Sequence, residues 1–136
     1  MVTQELIAQL KLHEGVEHKP YIDTVGKMTI GVGRNLTDRG VSNATIEQML
    51  MEDIELVQDE LDQMFPDWCK LNDKRQRVLV DMCFNLGRPR FMTFVRFWAA
   101  LRASQYDEAA KEMRDSRWYR QVGQRGETLA KMMEEG

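Results

Sequence analysis

The stretch "HEGVEHKPYIDTVGKMTIGVGRN", His13 to Asn35, changes its periodicity half-way along. Upstream of it, Leu6, Ile7 and Leu10 recur at helical spacing, and Glu14-Gly15 brings that pattern to a stop. Beyond Pro20 the period falls to two. Met28, Ile30 and Val32 then share one face, and Thr29, Gly31 and Gly33 share the other. Tyr21-Ile22-Asp23 predicts a partner strand and Thr24 to Gly26 the turn. The expectation is a small hairpin that buries Met28, Ile30 and Val32. Its other face presents Thr29 between positions without side chains, where a ligand can approach the backbone.

Working outward, the first helix is predicted over residues 3–14, with Thr3 as N-cap and Gly15 as terminator. Glu14 then lies in the last helical turn, where the helix dipole opposes a negative charge, so stability alone does not explain it. From Ser42, Ile46, Leu50, Ile54, Val57, Leu61 and Met64 trace one stripe along a long acidic helix that stops before Pro66. A helix over 73–86 ends at Gly87, another spans about 90–104, and a shorter one starts at Asp107. "SRWY" from Ser116 predicts a turn, and a last helix begins near Gln124. The methionines are expected mostly at core-facing helical positions. The fold class is thus α+β and mostly α. A small β-lobe (about 15–41) is joined by a linking helix (about 42–65) to a helical lobe (about 66–136 plus the N-terminal helix 3–14).

Composition bounds the function. The 136 residues and 43% hydrophobic content suit one domain with a core, and no stretch reaches the roughly 20 apolar residues of a membrane span. Stable membrane insertion is therefore not expected. The start "MVTQELIAQLKLHEG" has no basic, cleavable leader, which predicts folding in a cytoplasm. A net charge of −3 weighs against a nucleic-acid binder; arginines dominate from Lys70 to Arg125, where solvated helix faces are the favoured reading for most and a basic lobe suited to a polyanionic partner the sharper one. Cys69 and Cys83 sit in no Cys/His array, so no zinc is expected. They are read as reduced thiols, with a disulfide left open.

Hydrolysis of a glycosidic bond needs one carboxylic acid to protonate the leaving oxygen and a second carboxylate across the bond. Glu14 and Asp23 offer such a pair, one at a helix end and one at a strand–turn junction. Among 22 Asp and Glu residues, the pair alone is weak evidence. The wider pattern is more specific. Glu14-Gly15 followed by Tyr21-x-Asp23-x-x-Gly26-x-x-Thr29-x-Gly31-x-Gly33 resembles the N-terminal signature of bacteriophage lysozymes, the endolysins of glycoside hydrolase family 24. "FNLG" at Phe84 to Gly87 and "SRWYRQVGQR" at Ser116 to Arg125 resemble that family's cleft segment and C-terminal signature.

The resemblance implies a muramidase that cuts the β-1,4 bond between N-acetylmuramic acid and N-acetylglucosamine in peptidoglycan, with a cleft between two lobes. It implies Glu14 as general acid, Asp23 as second carboxylate and Thr29 as the residue positioning the attacking water, with inversion at the anomeric carbon. Gly33, Asn35, Phe84 and Asn85 would contact sugar. Arg125 would support Glu14, and no cofactor or metal would be needed. A monomer is expected, which accumulates in the host cytoplasm and depends on a holin to reach periplasmic peptidoglycan. Two features depart from the family pattern: Arg34 stands where many members carry histidine, and the loop after Leu36 is short. A lytic transglycosylase needs no positioned water, so Asp23 with Thr29 argues against it. A non-catalytic wall-binding module would not need the carboxylates. A helix-turn-helix DNA binder fits neither the charge nor the hairpin.

Overall fold

The computed structural model describes all residues from Met1 to Gly136. The chain packs as two compact units, Met1–Met49 and Leu50–Gly136. The N-terminal helix belongs to the first of these, whereas the sequence reading grouped it with the helical lobe.

In the first unit, α1 (Gln4–Glu14) starts where the Thr3 hydroxyl accepts from the Leu6 amide at 3.1 Å. It stops at Gly15, whose φ of 80° turns the chain out of the helix while its amide still reaches the Lys11 carbonyl. Three antiparallel strands follow in the order β1 (Glu17–Ile22), β2 (Met28–Gly31) and β3 (Arg34–Asn35). The β1–β2 ladder is irregular between Glu17 and Tyr21. Pro20, which cannot donate to a ladder, is accommodated there on an edge strand. β3 was not foreseen, and neither was the single turn α2 (Leu36–Arg39), which occupies the stretch expected to be a bare loop.

The sheet faces the opposite way from the expectation. Thr29 is 3% exposed, while Met28 and Val32 are 39% and 38% exposed and Ile30 is half-buried. Alternation along a strand identifies two faces but does not say which of them the rest of the chain covers. Here the covered face is the one that carries Tyr21, Thr29 and Asn35, which pair across the three strands.

The long helix α3 (Asn43–Met64) begins at Ser42, whose hydroxyl accepts from the Thr45 amide. Of its apolar stripe only Val57 and Leu61 are buried, while Ile46 and Leu50 are exposed. A 3-10 turn (Pro66–Lys70) leads to α4 (Asp73–Leu86), capped by Asn72 and ended by Gly87. The helix expected over 90–104 is two pieces, α5 (Arg88–Met92) and α6 (Val95–Arg102). In one straight helix Phe91 and Phe97 would project about 120° apart. With the break, their rings lie 5.7 Å apart beside Trp98, whose indole donates to the Phe91 carbonyl at 2.9 Å. α7 (Tyr106–Arg114), α8 (Arg117–Val122) and α9 (Gln124–Glu135) complete the chain. "SRWY" is not a turn. Ser116 is the N-cap of α8 and accepts from the Tyr119 amide at 3.1 Å.

Every buried apolar side chain lies in the second unit, among them Leu79, Met82, Phe91, Phe97, Met113, Trp118 and Met133. Burying a Phe or Leu there contributes about 1.5–3 kcal/mol each. The methionines are less inward than expected: Met82, Met113 and Met133 are buried, but Met28, Met49, Met51 and Met92 are exposed. Both cysteines are free thiols, Cys69 exposed and Cys83 buried. No helix is long and apolar enough to cross a membrane.

Candidate active site

The chain after Pro20 builds a rigid corner around Asp23. Its backbone amide donates to the Lys27 carbonyl at 2.9 Å, closing the turn between β1 and β2. Its side-chain Oδ1 accepts from the amides of Val25 at 3.0 Å and Lys27 at 2.8 Å. One carboxylate oxygen is thereby fixed by two backbone donors, and Oδ2 has no partner within the protein. The Lys27 carbonyl takes a second donor, the Thr29 hydroxyl, at 3.0 Å. Since that hydroxyl spends its single proton on Lys27, its lone pairs are left to accept. Asp23 and Thr29 are thus tied to the same carbonyl.

Glu14 reaches this unit's sheet at Gly33. A Cβ placed on Gly33 would stand 2.9 Å from Glu14 Oε2 and 3.2 Å from its carboxyl carbon. A side chain at residue 33 would push the carboxyl group out of this position, and φ of 67° makes glycine the fitting residue on backbone grounds as well. Gly33 therefore seats the candidate acid. Glu14 itself is exposed and Asp23 half-buried.

The remaining expected site residues divide. Asn35 spends its side chain on α2: its Oδ1 accepts from the Asp38 amide at 3.0 Å and its Nδ2 donates to Asp38 Oδ2 at 2.9 Å. That is a helix cap, and Asp38 is further held by Lys27 at 3.2 Å. In the second unit, Phe84 is 43% exposed and lines a groove of about 490 Å³ with Ile54, Trp68, Val80, Asp81 and Arg125. Asn85 accepts at Oδ1 from the indole of the buried Trp118 at 2.8 Å, which fixes its amide plane. Arg125 donates through Nε and Nη2 to Asp81 Oδ1 at 2.9 and 2.6 Å. The sequence reading did not name Asp81, although its place one helical turn before Phe84 on α4 put it on the same face. No group of acidic, histidine or cysteine side chains is arranged to hold a metal ion.

Residues 11–134 match the phage lysozyme family. The chain belongs to that family. Two relatives mark its range. The pre-baseplate central spike protein Gp5 of Enterobacteria phage T4 is 27% identical, over 83% of this chain but only 24% of its own length. The probable T4-type lysozyme 1 of Dictyostelium discoideum is 23% identical, over 93% of this chain and 92% of its own. The chain is therefore close to the whole of one relative and about a quarter of the other. The fold is the α+β lysozyme architecture anticipated from the sequence, and the activity attached to this family is lysozyme-type hydrolysis of peptidoglycan.

Proposed function

We propose that this phage lysozyme family member is a muramidase cleaving the β-1,4 bond between N-acetylmuramic acid and N-acetylglucosamine, in the service of phage-induced host lysis. Glu14 gives its proton to the departing sugar oxygen. A water molecule attacks the anomeric carbon from the opposite face, and Asp23 Oδ2 takes up the water's proton. Thr29 accepts the water's other hydrogen, so that the attacking lone pair points at carbon. The product then has inverted configuration, which calls for carboxyl groups roughly 6.5–9.5 Å apart. The observation that carries this reading is the Asp23 turn, in which two backbone amides hold Oδ1 and the Lys27 carbonyl takes the Thr29 proton, so that Oδ2 and the Thr29 lone pairs have no partner in the fold.

Gly33, Phe84 and Asn85 contact sugar in this reading, Phe84 through its exposed ring. Asn35 contributes by holding α2. A supporting role for Arg125 also belongs to the proposal, and Asp81 holds its guanidinium in the second unit. The enzyme works as a monomer without a cofactor, accumulates in the host cytoplasm, and reaches periplasmic peptidoglycan once a holin opens the way.

Mass spectrometry of soluble fragments from purified peptidoglycan tests the reaction. Wild-type chain should release fragments with free reducing muramic acid, and Glu14→Gln should release them about a hundred- to ten-thousand-fold more slowly. Proton NMR of the nascent product should show the α-anomer. Anhydro-muramic ends would make the protein a transglycosylase and remove Asp23 from its role. A folded wild-type chain that releases nothing would leave a wall-binding module.

A further inference from the structure

The geometry points to a second ligand site. We propose that the pocket formed by the 3-10 turn after α3 together with the α6–α7 junction binds an anionic sugar unit, a pyranose ring bearing one carboxylate or phosphate. Its volume is about 590 Å³, within the range of small-ligand sites. The residues proposed for catalysis do not line it, and the inference does not rest on the hydrolase reading.

Two aromatic rings form its walls, Phe65 and Tyr106. Both are braced from behind. Phe65 packs on Trp98 with ring centroids 6.0 Å apart. The Arg75 guanidinium lies 3.6 Å from the centre of the Tyr106 ring and is itself held by the Met133 carbonyl at 2.7 Å. Walls that are already ordered lose little freedom when a flat apolar sugar face settles against them.

Two cations stand at the same pocket, one without a counter-charge and one in a solvent-exposed pair. Arg102 has no carboxylate and no hydrogen-bond partner. Lys70 meets Asp67 at 3.1 Å, but both side chains are well exposed, and such a pair holds its partners weakly. Ser104, in the left-handed region at φ 55°, adds a hydroxyl at the rim. A ring face for Phe65 and Tyr106, an anion for Arg102 and Lys70, and hydroxyls for Ser104 and Asp67 describe one molecule: a charged sugar. A carboxylate-bearing ring would come from muramic acid of the wall, and a phosphate-bearing ring from a phosphorylated envelope sugar.

The test is a titration of the isotope-labelled full chain, followed by amide NMR, with four probes. These are N-acetylmuramic acid, N-acetylglucosamine 1-phosphate, neutral N-acetylglucosamine and inorganic phosphate. At least one anionic sugar should shift the amides of Leu71, Arg102, Ser104 and Tyr106 and bind more tightly than both the neutral sugar and phosphate. Which of the two does so names the source. In Arg102→Gln, an exposed substitution that leaves the core untouched, that affinity should fall about tenfold. Shifts confined to residues outside the pocket, equal binding of the neutral sugar or of phosphate, or unchanged affinity in Arg102→Gln would each overturn the proposal.

Discussion

Gly31 and Gly33 hold nearly the same φ, 68° and 67°, but only one of them touches the candidate acid. A Cβ on Gly31 would meet nothing within 4 Å, whereas one on Gly33 would collide with the Glu14 carboxylate. An alanine at either position has to adopt a left-handed conformation, at a cost of about 1–2 kcal/mol. Gly31→Ala and Gly33→Ala should therefore lower the urea midpoint of unfolding by similar amounts. Only Gly33→Ala should also displace the acid and lower kcat, by about a hundredfold if the carboxyl moves by an ångström. If both variants lose activity equally, the glycine does not seat the acid. The motif Gly-x-Gly was visible in the sequence, but spacing alone could not distinguish a glycine needed for its backbone from one needed for the room it leaves. The site residues were legible to a similar degree. Asp23 opens the turn after β1 and Thr29 lies in β2 on the covered face rather than the open one, while Asn35 is a cap rather than an open amide. Its capping partner, Asp38, lies three residues on and could have signalled that role.

At the level of elements, the sequence marked helices well wherever a cap and a stop bracket an apolar stripe. Thr3 with Gly15 bounds α1 and Gly87 ends α4 at the expected residues, with Asn72 capping the α4 start. It failed where tertiary packing decides, as in the break that lets Phe91 and Phe97 converge and in the sheet face turned inward. It also could not show what binds α7, α8 and α9 together. Arg114 of α7 donates to Glu127 at 3.0 and 3.1 Å and to Glu134 at 2.9 Å through two nitrogens, while Tyr119 of α8 donates to Glu127 at 2.8 Å. Gly126 on α9 completes the join, since a Cβ there would come within 2.9 Å of the Tyr119 ring. The Arg114 and Tyr119 hydrogen bonds pull the Glu127 carboxyl down to about 2, and Arg114 also lowers Glu134. A carboxylate with a lowered folded-state value stabilises the fold above its ordinary range and loses that contribution as pH falls through the folded value. Arg114→Met should thus lower the urea midpoint at pH 7, and the gap from wild type should close progressively between about pH 4.5 and pH 2. A gap of constant size across that range would mean that Arg114 acts through packing alone.

On the scale of the whole molecule, the two units differ in what holds them. Met1–Met49 has one buried side chain, the polar Thr29, and relies on strand pairing, turns and caps. Leu50–Gly136 contains the entire buried apolar core. Segments with few buried apolar contacts open at lower free energy than the global transition. Native-state hydrogen exchange should accordingly show the amides of β1–β3 opening through a smaller free-energy gap than those of α4 and α9. The two thiols supply an independent clock. Cys69 is exposed and should react with a thiol reagent at once. Cys83 is 2% exposed, and burial, reinforced by Glu60 and partly offset by Arg88, raises its thiol to about 11. Little thiolate exists at neutral pH, and reagent can reach it only when the helical unit opens. Labelling of Cys83 should therefore be slow and should accelerate with urea in step with exchange of the α4 and α9 amides, lagging behind that of the strands. Cys83 labelling at the pace of β1–β3 exchange would show that the two units unfold together, and that the sheet draws its stability from the core it does not itself contain.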